Sequence, residues 1–180
     1  KGTFFILVAH RPSRLLPTIR SRCRVVRFAT LTEDELSTML AEEGHAAEPA
    51  AIRTAAGSYG AAIRFLEEDL APLARMMEGL LTAGDPGFTG RSELSRLIGP
   101  RAGRERLQAV FDLAQTMAAQ QASSTEDRSL RAACVDAHAQ LVKLAAQAPT
   151  HNFDPGLLSL QIGTLLVSAH AASEPAHGAR

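Results

Sequence analysis

Four arginines, Arg20, Arg22, Arg24 and Arg27, fall within eight residues, and the centre of the run reads Ser21-Arg22-Cys23. A guanidinium stays charged at any physiological pH and presents a planar fork of donors that matches phosphate oxygens. The chemistry this run offers is therefore recognition of an anionic phosphate, set against the plainer reading of arginines solvated on a surface. His10 is the other polar group of interest, because it closes a continuous apolar run. Ser21 has no neighbouring base in the sequence that would make it a nucleophile. Cys23 and Cys134 are far apart, and His138, His151 and His170 show no ligand spacing. Neither a disulfide framework nor a metal site is indicated.

The elements that must position these groups are short. Phe4-Phe5-Ile6-Leu7-Val8-Ala9 has the pattern of a strand buried on both faces, which suits a parallel sheet. His10 and Arg11 stand where that strand should emerge, and ligands of open α/β sheets bind beyond the carboxyl ends of strands. Pro12 and Pro17 frame a tight connection, with Pro17 suited to open a short helix, and Arg24 to Phe28 reads as a second short strand. A lone buried strand cannot satisfy its edges, so the expectation is that the chain is the C-terminal portion of a longer protein.

From Leu31 the period becomes helical. Thr32-x-x-Glu35 is a capping box, with Leu31 and Leu36 as a hydrophobic staple, and it predicts a helix from Glu33 to about Glu43 stopped by Gly44. Pro49 opens a second helix ending near Gly57, and Ser58 caps a third running to about Glu68. Helices follow over Pro72–Leu81, Arg91–Ile98, Arg104 to about Ala122, Glu126–Gln147, and from Asp154-Pro155 through Leu165. Asp85-Pro86-Gly87 is a turn, and Ser123-Ser124-Thr125 is read as a break and a new cap. The apolar stripes Leu107, Val110, Phe111, Ala114, Met117 and Leu130, Cys134, Ala137, Leu141, Leu144 are core candidates, and a narrow seam of this kind also suits packing between subunits.

The run from Phe5 to Cys23, an apolar strand, a polar residue at His10, Arg-Pro-Ser-Arg-Leu-Leu-Pro-Thr-Ile-Arg and then Ser-Arg-Cys, resembles the sensor-1 and SRC region of AAA+ clamp-loader subunits, and within them the bacterial delta-prime type. Leu31-Thr32-x-x-Glu35-Leu36 and Gly57-Ser58-Tyr59-Gly60 lie where that family's lid domain has its landmarks. The resemblance implies a mainly α chain with the remnant of an AAA+ α/β core holding one or two short strands. Residues 1–30 would end that core, 31–71 would form a three-helix lid, 72–172 a helical collar and 173–180 a disordered tail. In the family the SRC arginine reaches the ATP phosphates of a neighbouring subunit, a role that falls to Arg22. His10 takes the sensor-1 place, where related ATPases carry a small polar residue. The sensor-2 arginine is missing, its positions being Gly60 and Ala61, and Arg64 comes one helical turn, about 5 Å, later. No Gly-x-x-x-x-Gly-Lys-Ser/Thr loop is present in these residues.

The implied function is that of a subunit that does not hydrolyse ATP, binds no cofactor itself and serves ATP-Mg held by a neighbour while a sliding clamp is placed on primed DNA. Its implied partners are the other clamp-loader subunits, with the clamp and DNA reached through the complex. An upstream zinc module, known in the family, is left open. Two other readings stand beside it: a fragment of an ATP-hydrolysing AAA+ motor subunit, which needs a phosphate-binding loop, and a basic nucleic-acid-binding helical module.

Composition frames these readings. Among 180 residues, 46% are apolar, as in a globular chain, and no apolar run is long enough to cross a bilayer. A cytoplasmic, reducing setting is the expectation. Net charge is zero, yet seven cations precede the first acid, Glu33, and the remainder carries 12 cations against 19 acids, about −7. So concentrated a cationic stretch calls for an anionic partner. With no Trp, one Tyr and 4% aromatics, stacking platforms for single-stranded nucleic acid are few.

Overall fold

A computed structural model describes residues 3–9, 15–148 and 154–171. The chain divides into two units, 1–30 and 31–180. In the first, the only helix among the described residues is α1, Pro17–Arg20. The expected strands do not form: no residue from 3 to 9 or from 24 to 30 is in a strand, and Phe4, Phe5, Ile6, Val8, Val25, Val26 and Phe28 are exposed. The physical reason is pairing. A strand is held by hydrogen bonds to a neighbouring strand, and none is present among the described residues. His10, Arg11, Pro12, Arg14, His151 and the expected tail 173–180 lie outside the described residues.

The second unit is helical throughout its described regular structure. It comprises α2 (Glu33–Glu42), α3 (Pro49–Ala55), α4 (Tyr59–Glu67), α5 (Ala71–Ala83), α6 (Thr89–Ile98), α7 (Arg104–Ser124), α8 (Arg128–Gln147) and α9 (Pro155–Ala171). None of these is long and apolar enough to cross a membrane. Local chemistry starts and stops them as the sequence requires. The Thr32 hydroxyl accepts from the Glu35 N–H while the Glu35 carboxylate accepts from the Thr32 N–H at 2.8 Å, closing the capping box of α2. The Ser58 side chain accepts from Ala61 N–H at the start of α4. Gly44, after α2, sits at φ +80°, where a side chain would be strained.

Two differences from expectation have simple causes. The helix α7 continues through Ser123 and Ser124, whose hydroxyls donate back to the Ala119 and Gln121 carbonyls, and Asp127 rather than Ser123–Thr125 caps α8. The Asp127 carboxylate accepts from the N–H groups of Ser129 and Leu130. A carboxylate is the stronger acceptor and complements the positive end of the helix.

Leu36, Leu40, Ala55 and Ala62 form a small cluster inside α2–α4. Ala51 and Phe65, from the same three helices, belong instead to the main core with Leu73, Met77, Leu94, Phe111, Leu141 and Leu166. The three-helix group therefore shares its packing with the bundle. Within the bundle α9 is central, packed on α5, α6, α7 and α8. Its apolar residues are spread around the helix, with Leu158, Ile162, Leu165, Leu166 and Ala169 buried. Of the stripes expected for α7 and α8, Val110, Phe111, Ala114, Cys134, Ala137 and Leu141 are fully buried, while Leu107, Met117, Leu130 and Leu144 pack half-buried at the margin.

Two arginines tie helix ends together. Arg106, on α7, donates from its guanidinium to the carbonyls of Glu68, Leu97 and Ile98, and so binds the C-terminal ends of α4 and α6 at once. The Glu68 carboxylate lies 3.6 Å away. A cation is favoured at helix C-termini, where carbonyls lack partners. Arg91, on α6, is bound by Asp85: the carboxylate accepts from Arg91 Nε at 2.9 Å and from the backbone N–H groups of Gly90 and Arg91. The Arg91 guanidinium also stacks on Phe88, 3.6 Å from the ring centroid. Burial alone would raise the Asp85 carboxyl, but the Arg91 side chain and the two backbone N–H groups hold it below its ordinary value.

Candidate functional site

The Ser21-Arg22-Cys23 motif sits at the end of α1, on a turn that holds itself. Pro17 has no N–H to leave unpaired at the helix start and its φ is already helical. Ile19 and Arg20 donate to the Leu16 carbonyl at 3.0 and 3.1 Å, Ser21 N–H to Pro17 at 2.9 Å, and Arg22 N–H to Ile19 at 3.1 Å. The Ser21 hydroxyl donates to the Thr18 carbonyl at 3.2 Å. Ser21, Arg22 and Cys23 are all exposed, as are Arg20, Arg24 and Arg27. The arrangement presents guanidinium groups to solvent on a short hydrogen-bonded turn and can meet an anion without rearrangement of a core.

The other named positions lie in the second unit. Gly60 and Ala61 occupy the first turn of α4, beside the Ser58 cap. Nothing lies within 4 Å of where a Cβ on Gly60 would be. Arg64, a turn further on, lies 3.7 Å from the Asp112 carboxylate of α7, with both side chains about half exposed, a pair worth at most about 1 kcal/mol.

A groove of about 870 Å³ runs past this pair, lined also by Gln115, Gln120, His138, Ala55 of α3 and Ala61 of α4. Its polar groups are engaged in packing: Gln120 Nε2 donates to the Arg53 carbonyl at 2.8 Å, and His138 Nδ1 lies 3.0 Å from the Gln115 carbonyl. Among the described residues no cluster of His, Cys, Asp or Glu is arranged to hold a metal ion. Cys134 is buried, and burial raises its thiol pKa. The Asp85–Arg91–Phe88 and Arg106 networks were not legible as such in the sequence, because their partners are loop and helix-end groups with no periodic signature.

Comparison with known proteins covers part of the chain. Residues 1–32 match the family described as DNA polymerase III, delta subunit, a stretch that contains the whole α1 turn and the Ser21-Arg22-Cys23 motif. The chain is also 40% identical over 70 residues to DNA polymerase III subunit delta' of Escherichia coli (strain K12). That alignment takes in 37% of this chain and 21% of the relative, so the match spans about a fifth of the relative's length. No solved structure matches the chain. The chain is thus delta-prime-like in sequence, as its Ser-Arg-Cys segment implied.

Proposed function

We propose that the chain belongs to a non-hydrolysing subunit of a bacterial clamp loader and donates Arg22 as an arginine finger to ATP-Mg held by a neighbouring subunit. The observation that carries this reading is Arg22 itself, exposed on a self-supported turn inside the segment shared with the delta subunit family. The forked cation suits the charge that develops on a transferred phosphoryl group. Glycine and alanine at positions 60 and 61, where an ATP-binding relative would carry an arginine, fit a subunit that serves a neighbour's nucleotide rather than its own.

On this reading residues 31–71 act as the lid and 72–172 as the collar that holds the ring, with the other loader subunits as direct partners, the clamp and primed DNA reached through the complex, and a cytoplasmic setting. Head-to-tail ring contacts give each subunit one face that offers a site and one that completes its neighbour's. The test is clamp- and DNA-stimulated ATP turnover by the loader reconstituted with the intact gene product. Fingers are worth roughly 10³ to 10⁵ in rate in other phosphoryl-transfer systems. Arg22→Ala is expected to lower the turnover of the served site by at least about tenfold with assembly unchanged. Unchanged turnover overturns the role of Arg22.

A further inference from the structure

The α1 turn ends with a side-chain donor beside the backbone ones. In a continuing α-helix the N–H of Arg22 would donate to the carbonyl of Thr18, four residues back. Instead it donates to Ile19, three back, and the Thr18 carbonyl accepts from the hydroxyl of Ser21. A side-chain hydroxyl thereby replaces a backbone donor at the helix end, where carbonyls lack partners. Ser21 itself keeps helical angles, φ −71° and ψ −19°.

We infer that Ser21 is a positioning residue for Arg22: by tying its side chain to the Thr18 carbonyl, Ser21 braces the tight turn in which the Arg22 N–H donates to Ile19, and so helps set the direction in which the Arg22 side chain leaves the turn. The inference rests on the finger role proposed above and explains why that role has a serine immediately before it. Without the hydroxyl the turn loses that tie, and it is free to relax toward the α-helical step in which the Arg22 N–H donates to Thr18. The step from a three-residue to a 3.6-residue turn swings the next side chain by roughly 20°, which at the end of an extended arginine is a displacement of about 2 Å. A misplacement of that size matters where a cation must meet charge that exists only in the transition state.

The experiment uses the reconstituted loader with the intact gene product carrying Ser21→Ala, Ser21→Thr or Arg22→Ala, and reads kcat and KM for ATP together with the subunit concentration that gives half-maximal stimulation. Ser21→Ala is expected to lower kcat at least about threefold, with KM and the half-maximal concentration within twofold of the parent. Ser21→Thr, which keeps a γ-hydroxyl, is expected to restore kcat to within twofold. Parental kcat in Ser21→Ala, beside a deep loss in Arg22→Ala, overturns the positioning role and leaves the finger standing. A loss in Ser21→Ala that Ser21→Thr does not restore, or that follows weakened assembly, also overturns it. Parental turnover in Arg22→Ala removes the finger reading, and this inference with it.

Discussion

Phe5 and Phe111 are the same residue in opposite circumstances: the first is 84% exposed and the second 1%. Around each, the neighbours share its fate. Phe4, Ile6 and Val8 are exposed with Phe5, whereas Val110, Leu113 and Ala114 are buried with Phe111. The difference lies in how each backbone finds its hydrogen bonds. A helix closes its own, so α2–α9 need one another only for their side chains. A strand must find N–H and C=O partners on another strand before its side chains can be buried. The first unit leaves its apolar residues exposed, and the second buries its own.

The contrast is testable by substitution, and its largest expression is in the core. Phe111→Ala is expected to lower the free energy of unfolding by about 3–5 kcal/mol. Phe5→Ala in the same chain is expected to change it by no more than about 0.5 kcal/mol. Urea denaturation followed by circular dichroism at the helical band reads both. Comparable losses at the two positions would erase the distinction between the units.

Next in size is the Asp85–Arg91 pair, which is buried in the second unit and has no counterpart among the exposed arginines of the first. Asp85→Ala leaves the Arg91 cation and two backbone N–H groups at the head of α6 without their acceptor, a loss of about 3 kcal/mol. The pair also has a pH signature. The folded carboxyl titrates below its ordinary 3.8, so its contribution is complete above that value and is lost as pH falls through the lower folded pKa. Midpoints of urea unfolding measured between pH 6 and pH 2 should therefore fall below about pH 4, with a shallower fall in Asp85→Asn. Parallel curves would mean that other carboxylates set the acid limit.

The smallest of the three effects is at Thr32. Thr32→Ala removes the acceptor for the Glu35 N–H and is expected to cost about 1 kcal/mol. Because α2 contributes only Leu36 and Leu40 to the small cluster, amide hydrogen exchange should rise in α2 before it rises in α9. Uniform acceleration across both helices would show that the three-helix group and the bundle open together.

What the sequence revealed follows the same division. Thr32 with Glu35, Ser58, Pro49 and Gly44 act within a few residues of themselves, and each marks a helix end close to where the chain puts it. The Ser21-Arg22-Cys23 motif was legible for a different reason, an ordered set of residue types, and its exposure on a short turn adds the geometry. The apolar run at Phe4–Ala9 indicated a residue pattern that wants burial, but periodicity cannot supply the partner that burial needs. Asp127 replaced Ser123–Thr125 as the cap of α8 because several adjacent residues can cap, and competition among acceptors decides which does. Arg106 gave no local sign at all. Its three carbonyl partners come from residues 68, 97 and 98, which converge only after α4 and α6 have packed.

The empty space around Gly60 has a consequence for what position 60 can carry. A glycine in the first turn of a helix is often kept because a neighbour fills the place of its side chain, yet here nothing does. Glycine is also the poorer helix former by about 1 kcal/mol relative to alanine. Packing therefore leaves room for a β-carbon at position 60, and Gly60→Arg would begin a cationic side chain at the head of α4 without a clash at that atom. What weighs against the cation is the positive end of the α4 dipole rather than a clash at the β-carbon.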